Sequence, residues 1–418
     1  MKVFAVCGER SGDGILKRVN LNVPFAGAVW TPTVLTAAVP CVFDGPKHLG
    51  VMGFGPQVLG KIPWAYRKLG ELERWILEND VDVLLTVDSN AFTWRLQQRV
   101  RDLVKSVHVC APSSAWAFRS HSLATRKFAM DRLCTLLPFE HEYWQPSKAG
   151  QRVEFVGYFG VETVLDVLGL DVDRSLSLLS PPPPPPPSTN PLLLPHEYLA
   201  QAPPPTGTLP KLDKLTKLQY KERLLGQLNA PAHKTKLVAL CPGSRLGEIQ
   251  SSFSLMLQAA NQMQDPSIQF VVLGASTTIG QLQSSFPVLK ETEYKLAVLC
   301  GADAALAVSG TIVTELLACN CPCAVVYNSG GPLTKLVATY KARVKYLSLV
   351  NIMAGTQLVP EFFFNNDAAL IAKQLARLLE EGVSEQVHSA LDRLVVWNGP
   401  HPVRPSHMVK RVLLESGG

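Results

Sequence analysis

Two turns built from small residues carry the groups that hold phosphate. In Leu237-Val-Ala-Leu-Cys-Pro-Gly-Ser-Arg-Leu-Gly-Glu248, Leu237 to Cys241 reads as a short buried strand and Pro242-Gly243-Ser244 as a tight turn. Leu246 to Met263 then reads as a helix, with Ile249, Phe253, Leu257 and Ala260 at helical spacing. A strand, a turn and a helix start leave backbone N–H groups unpaired at a positive dipole end, which suits an anion. Arg245 adds a planar guanidinium fork that matches two phosphate oxygens. The same stretch also describes an ordinary strand–turn–helix corner. Ser309-Gly-Thr-Ile-Val-Thr-Glu315 is a second turn of this kind, and it opens another helix. Acids stand at the ends of two further strand-like runs. Lys2–Cys7 leads into Gly8-Glu-Arg-Ser-Gly-Asp13, and Val83-Leu-Leu-Thr-Val-Asp88 ends on a carboxylate. Glu9, Asp13 and Asp88 thus lie where α/β clefts bind ligands, and each can take a proton from an attacking hydroxyl. Asp88 is equally suited to cap the helix beginning near Phe92.

The elements that must position these residues alternate. Helices are predicted over Pro63–Glu78 and Phe92–Val104, and strands over Val107–Cys110, Leu133–Leu137 and Val153–Gly157. Strand and helix in turn across 1–165 predict a parallel, doubly wound sheet. The rhythm returns in the second half with strands Phe270–Gly274, Ala304–Val308 and Ala324–Tyr327. Helices are predicted over Leu333–Ala342, 367–382 and 403–415, and Leu349–Glu361 reads as a loop. The fold class is therefore α/β, two Rossmann-like domains with a cleft between them. Between the halves lie the proline run Pro181–Pro187 and Pro203–Pro205, which read as a polyproline spacer or disordered insertion. The predicted division is an N-terminal domain at 1–168, a linker at 169–233, a C-terminal domain at 234–396 and a helical tail at 397–418.

Composition bounds the function. The chain has 418 residues, 47% hydrophobic and 18% charged, with a formal charge of +6, which describes a globular protein of two domains. It has no Lys/Arg run of the nucleic-acid type, so the charge suits phosphates or an anionic membrane surface. No apolar span is long enough to cross a bilayer, and no leader is recognisable ahead of the first strand. Trp64, Tyr66, Leu69, Leu72, Trp75 and Ile76, beside Lys61, Arg67, Lys68 and Arg74, fit either a core face or a membrane-surface face. The nine scattered cysteines read as reduced, buried thiols. Cys319-Asn-Cys-Pro-Cys323 lacks a second ligand pair, and no metal site is predicted.

Taken in order, several short motifs resemble those of the lipid-A-disaccharide synthase family, inverting glycosyltransferases of the GT-B architecture. They are Gly8-Glu-x-Ser-Gly-Asp13, Val51-Met-Gly53, Val87-Asp88 with Phe92, and Ala111-Pro-Ser113 with Trp116-Ala117. Leu137-Pro-Phe-Glu140, Phe155-Val-Gly157, Pro242-Gly-Ser-Arg245 with Glu248, and Ser309-Gly-Thr311 with Glu315 continue the series. Asn351-x-x-Ala-Gly355 with Leu358-Val-Pro-Glu361 closes it. The resemblance implies transfer of an acylated glucosamine from a UDP donor to an acylated glucosamine phosphate acceptor, with no cofactor beyond the UDP-sugar substrate. It implies that Gly243, Ser244, Arg245 and Glu248 surround the diphosphate, with Ser309, Gly310 and Thr311 offering further N–H groups. Glu315 would face ribose hydroxyls and Asn351 the donor. About Val51–Trp64 would meet the membrane, and a homodimer is compatible with the family. The chain departs from the pattern at Ala91, where the family carries the leading base candidate, at Tyr158 in place of a histidine, and at Thr356 in place of an arginine. The segment after Asp88 resembles the divergent eukaryotic branch, which implies a mitochondrial location; a cytoplasmic one, also at a membrane surface, is the other expectation. The rival readings are a catalytically weakened relative that binds UDP-sugar or lipid, and another GT-B enzyme with a soluble acceptor.

Overall fold

A computed structural model of the chain describes residues 1–7, 10–19, 25–29, 41–44, 62–88, 90–111, 113–117, 127–146, 148–170, 193–244, 249–275, 278–328, 342–364 and 367–417. The N-terminal unit is a seven-stranded sheet. Its strands are β1 (Val3–Cys7), β2 (Phe25–Val29), β3 (Cys41–Asp44), β4 (Val83–Val87), β5 (Lys105–Val109), β7 (Arg132–Thr135) and β9 (Arg152–Phe155), in the order β3-β2-β1-β4-β5-β7-β9. All neighbours are parallel. A separate two-stranded pair, β6 (Lys127–Phe128) with β8 (Gln145–Pro146), lies outside this sheet. The reason lies in the strands themselves. Val3-Phe-Ala-Val-Cys7 and Val83-Leu-Leu-Thr-Val87 are buried throughout, as a sheet covered on both faces requires. Phe4, Val6 and Leu84 face the helices Ile62–Glu78 and Asn90–Val100 through Leu69, Leu72, Ile76, Leu96 and Val100. Val3, Ala5, Cys7, Leu85 and Val87 face the other way, into a core that continues through the rest of the molecule. The core reading of the 62–78 helix thus holds for one face, while Tyr66, 52% exposed, stands on the other.

The C-terminal unit repeats the design. The strands β10 (Lys236–Cys241), β11 (Ile268–Gly274), β12 (Val288–Lys290), β13 (Ala304–Ala307), β14 (Cys323–Tyr327) and β15 (Glu361–Phe363) form a parallel sheet in the order β12-β11-β10-β13-β14-β15. Val238 and Leu240 pack with Met256, Ala259 and Leu375 on one face. Leu237, Ala239 and Cys241 pack with Val298 and Leu316 on the other.

Several expected elements differ. Of the linker predicted at 169–233, residues 193–233 are folded, because they carry enough apolar residues to dock. Lys214–Gln227 is a helix lying on the Glu291–Gly301 helix, with Leu224 buried, Lys221 Nζ 3.0 Å from Asp303 and Lys217 Nζ donating to the Asn320 carbonyl at 2.7 Å. The proline run Pro181–Pro187 lies outside the described residues. The segment predicted as a loop at 349–361 begins with a helix, Leu349–Ala354, capped by Ser348. The helix predicted over Leu246–Met263 is described from Ile249, as a π-helical turn that passes into the α-helix Ser254–Gln262; of that predicted over Leu333–Ala342, all but Ala342 lies outside the described residues. The tail predicted at 397–418 pairs β16 (Val396–Asn398) with β17 (His401–Val403) and then returns to the N-terminal sheet. Its helix, Pro405–Gly417, packs on β4, β5 and β7 with Met408, Val409, Val412 and Leu413 buried, and Arg411 reaches Glu154 at 3.1 Å.

Candidate active site

The two phosphate-type turns leave the C-terminal sheet side by side. β10 and β13 are neighbours, Cys241 pairs with Ala307, and the Val308 N–H donates to the Cys241 carbonyl at 3.0 Å. Pro242-Gly243-Ser244 and Ser309-Gly310-Thr311 therefore leave the C-terminal ends of two adjacent interior strands. Gly243 has φ +90°, a conformation glycine adopts without strain, which lets the chain turn sharply after the strand. Gly310 is exposed, and a Cβ added there would meet no heavy atom within 4 Å, so the space before the Thr311–Ala318 helix is open. The Ser309 hydroxyl donates to the Leu347 carbonyl at 2.9 Å, which ties this turn to the next segment. Arg245 and Glu248 lie outside the described residues.

Glu315 and Asn351 are placed differently from expectation. Glu315 is only 5% exposed and forms an ion pair with Lys295 at 2.8 Å. Lys295 also reaches Glu291 at 3.3 Å. Burial works to lower the Lys295 pKa, and the two carboxylates more than offset it, so the ammonium is held charged. Glu315 thus joins two helices instead of standing open to a ribose. Asn351 corrects its expectation outright. It is 0% exposed, and its Nδ2 donates to the Val359 carbonyl and to Glu361 Oε1, both at 2.7 Å. Its Oδ1 accepts from the N–H groups of Leu358 and Val359, both at 2.8 Å. An amide has two donors and one acceptor oxygen, and all are engaged inside the fold. Asn351 therefore shapes the 347–361 segment and does not face the donor. Glu361 completes this knot by accepting from the N–H groups of Leu347 and Ser348.

On the N-terminal sheet β1 and β4 are neighbours, and the Arg10–Val19 helix that follows β1 brings Gly12 beside Asp88 at the end of β4. A Cβ on Gly12 would lie 2.8 Å from the Cys7 Cβ and 2.9 Å from Asp88 Oδ2. Only glycine permits that approach, and it sets the Asp88 carboxylate against the first turn of the Arg10–Val19 helix, where the dipole favours an anion. Asp88 is 8% exposed with φ +46°, and its carbonyl, not its carboxylate, accepts from the Thr93 hydroxyl at 2.8 Å. Cys110, at the end of the adjacent β5, has φ +76°. Two neighbouring strand ends in the left-handed region store strain of the kind that accompanies binding clefts. The backbone places Asp13 in the first helical turn. Glu9 and the side chains of Asp13 and Ala91 lie outside the described residues.

Two further residues, Glu140 and Tyr158, tie separate segments together. Glu140, 3% exposed, accepts from Trp116 Nε1 and from the N–H groups of Leu136 and Leu137, each at 3.1 Å. Burial pushes its carboxyl up to about 7 in spite of these donors. It fixes the loop of Trp116, whose next residue, Ala117, accepts from the Arg343 N–H at 2.7 Å. Tyr158 stands where the chain meets the C-terminal half. Its N–H donates to the Leu394 carbonyl at 2.9 Å, and its ring lies against Gly160, where an added Cβ would fall 2.7 Å from Tyr158 Cε1 and 3.5 Å from the Thr314 Cβ. Both residues fall in or beside quoted motifs, but Trp116 and Leu394, which they tie down, are more distant in sequence. Among the described residues no group of three or more His, Cys, Asp or Glu side chains is placed to hold a metal ion.

The family model described as lipid-A-disaccharide synthetase matches residues 3–166 and 210–397, which is most of the chain. The chain belongs to the lipid-A-disaccharide synthetase family. The match resumes at 210, within the predicted linker, just before the docked Lys214–Gln227 helix. The lipid-A-disaccharide synthase of Pseudomonas aeruginosa is 28% identical over 93% of this chain and 91% of its own length. That of Geobacter sulfurreducens is 26% identical over 91% and 88%. Among solved structures, the UDP-GlcNAc 2-epimerase of Neisseria meningitidis bound to UDP-GlcNAc aligns over 99% of this chain and 100% of its own, with a TM-score of 0.57 at 12% identity. The glycotransferase of kitacinnamycin aligns over 100% and 98% with a TM-score of 0.53, also at 12% identity. These likenesses bear on the fold, two parallel α/β domains of the GT-B kind. The family makes this chain a glycosyltransferase relative.

Proposed function

We propose that the chain transfers an acylated glucosamine from UDP to an acylated glucosamine 1-phosphate, forming a lipid A disaccharide 1-phosphate and UDP at a membrane surface. The observation that carries this is the adjacency of the 242–244 and 309–311 turns at the C-terminal ends of β10 and β13. Family membership and the pair of acid-bearing strand ends in the other sheet support it. In this reading the donor diphosphate lies across the two turns and meets the guanidinium of Arg245. Negative charge grows on UDP as the anomeric C–O bond breaks, and the N–H groups and Arg245 stabilise it. The acceptor hydroxyl attacks the opposite face of the anomeric carbon and inverts it. Its proton passes to a carboxylate, for which we assign Asp13, while Asp88 orders the turn beside Gly12. The acyl chains of both substrates require a lipid-facing entrance, and about Val51–Trp64 is the stretch assigned to it.

The decisive experiment is product analysis after incubation with UDP-2,3-diacylglucosamine and 2,3-diacylglucosamine 1-phosphate. Disaccharide 1-phosphate and UDP in equal amounts support the proposal. Ala91 favours a second reading, a weakened relative, since the family's leading base candidate is absent there. Retained UDP binding with no disaccharide from the wild type, and product from Ala91→Asp alone, would establish that second reading.

A further inference from the structure

Residues 193–209 fall where the family match is interrupted, between 166 and 210, yet they are folded against both units. Pro195 presets the first turn of the Pro195–Gln201 helix, and Glu197 Oε2 accepts from the Leu194 N–H at 2.6 Å, which fixes where it starts. Seven residues are too few for a helix to persist in water by itself, so this one owes its form to what it touches. On the N-terminal unit, the Tyr143 hydroxyl donates to the Leu193 carbonyl at 2.5 Å. The Tyr198 hydroxyl is hydrogen-bonded with His141 Nε2 at 3.2 Å, the two rings edge to face. On the C-terminal unit, the helix packs on Leu349–Ala354. There His196 covers the Gly355 cap so closely that a Cβ on Gly355 would lie 2.5 Å from His196 Cδ2. Further on, the Thr206 hydroxyl donates to the Gly399 carbonyl at 2.7 Å and Asp392 Oδ1 accepts from the Leu209 N–H at 2.6 Å, which moors the end of the segment. We propose that the 193–201 segment is a clasp between the two units, tying the Glu140–Tyr143 turn to the Leu349–Ala354 helix and limiting how far the cleft opens.

Two units of one chain move relative to each other unless their interface is large or specifically tied. The direct tie here is slight, the Arg343 N–H donating to the Ala117 carbonyl at 2.7 Å. The clasp spans the same two regions, since Glu140 fixes the Trp116 loop and also opens the turn that carries His141 and Tyr143. For the regions to part, the clasp must detach from one of them. Release on the N-terminal side breaks two hydrogen bonds and uncovers Tyr198 and Leu199, which are both buried. Release on the C-terminal side lifts the His196 ring off Gly355. The opening free energy therefore rises by the weaker of the two attachments, and removing groups from both sides lowers it.

The test is small-angle X-ray scattering with amide hydrogen exchange, on the full chain without ligand. Tyr143→Phe and Tyr198→Phe keep both rings and remove one bond each, and His196→Ala empties the seat on Gly355. Each lost bond should raise the open population roughly three- to tenfold. The triple variant should therefore show a larger radius of gyration and exchange at least about tenfold faster across 349–355. Amides of β4 and β10 should stay protected, because neither sheet depends on the clasp. An unchanged radius of gyration, with faster exchange confined to 195–201, overturns the proposal and leaves a helix that only lies on the surface. Lost protection in β4 or β10 overturns it equally, since the helix would then support the core of one unit. If the triple variant does not fold, Tyr198→Phe alone decides the matter. It should speed exchange across 349–355 roughly three- to tenfold, and unchanged exchange there rejects the clasp.

Discussion

At the scale of single residues, the fold separates acids that serve the structure from acids available for chemistry. Glu140 sits in the first group. Its folded pKa of about 7 lies above the ordinary 4.5, so the fold retains a proton that the unfolded chain gives up. Folding is therefore favoured at low pH, and this contribution is lost as pH rises from about 4.5 to about 7. The melting temperature should fall over that interval, and Glu140→Gln should flatten the fall; an unchanged slope would show that the carboxyl is ionised throughout. Asp13, whose side chain lies outside the described residues, is the acid proposed for the chemistry. Asp13→Asn should abolish transfer while leaving UDP affinity intact, and Ala91→Asp should raise the rate, since a positioned base contributes about 10²–10⁴. Full activity in Asp13→Asn would move the base elsewhere. Arg245→Ala should weaken UDP binding about ten- to a hundredfold, the worth of a charge-assisted phosphate contact. Motif spacing was enough to bring these residues into view. It does not distinguish a carboxylate wedged beside Gly12, as Asp88 is, from one presented to a ligand, because that depends on contacts between strands far apart in the chain.

At the scale of elements, the central strands were legible because they bury both faces. Five-residue runs such as Val3–Cys7 and Val83–Val87 admit no other globular reading once helices alternate with them. The segments misread as loop or linker failed for local reasons. Proline-rich composition concealed the Lys214–Gln227 helix, whose docking face is supplied by the Glu291–Gly301 helix. Leu349–Ala354 is only six residues long and is held by Asn351 more than by any periodicity. Asn351→Ala should therefore cost about 2–4 kcal/mol of stability, because four buried partners lose their bonds together. Thermal unfolding checks this. A weakened UDP affinity with an unchanged melting temperature would return Asn351 to the donor.

At the scale of the whole molecule, the C-terminal helix is the element whose docking the sequence left open. Nothing in Pro405–Gly417 identifies its partner, since an amphipathic helix docks on any complementary face. The structure lays it on the N-terminal sheet, with Arg411 meeting Glu154 and the Ser406 N–H donating to Glu162 at 2.6 Å. Truncation before Pro405 should thus unfold the N-terminal unit first, seen as loss of amide protection in β4, β5 and β7 while β10 and β13 stay protected. Protection lost first from the C-terminal sheet would contradict this packing. The arrangement also sets a timetable for biosynthesis. Lys105–Val109 leaves the ribosome with one apolar face uncovered, and the Pro405–Gly417 helix that packs on it is encoded beyond the entire second unit. At about 5–20 residues per second the wait is on the order of tens of seconds. Through that interval the nascent sheet is a client for chaperones, and a ribosome that stalls late in the message ruins the domain that it made first.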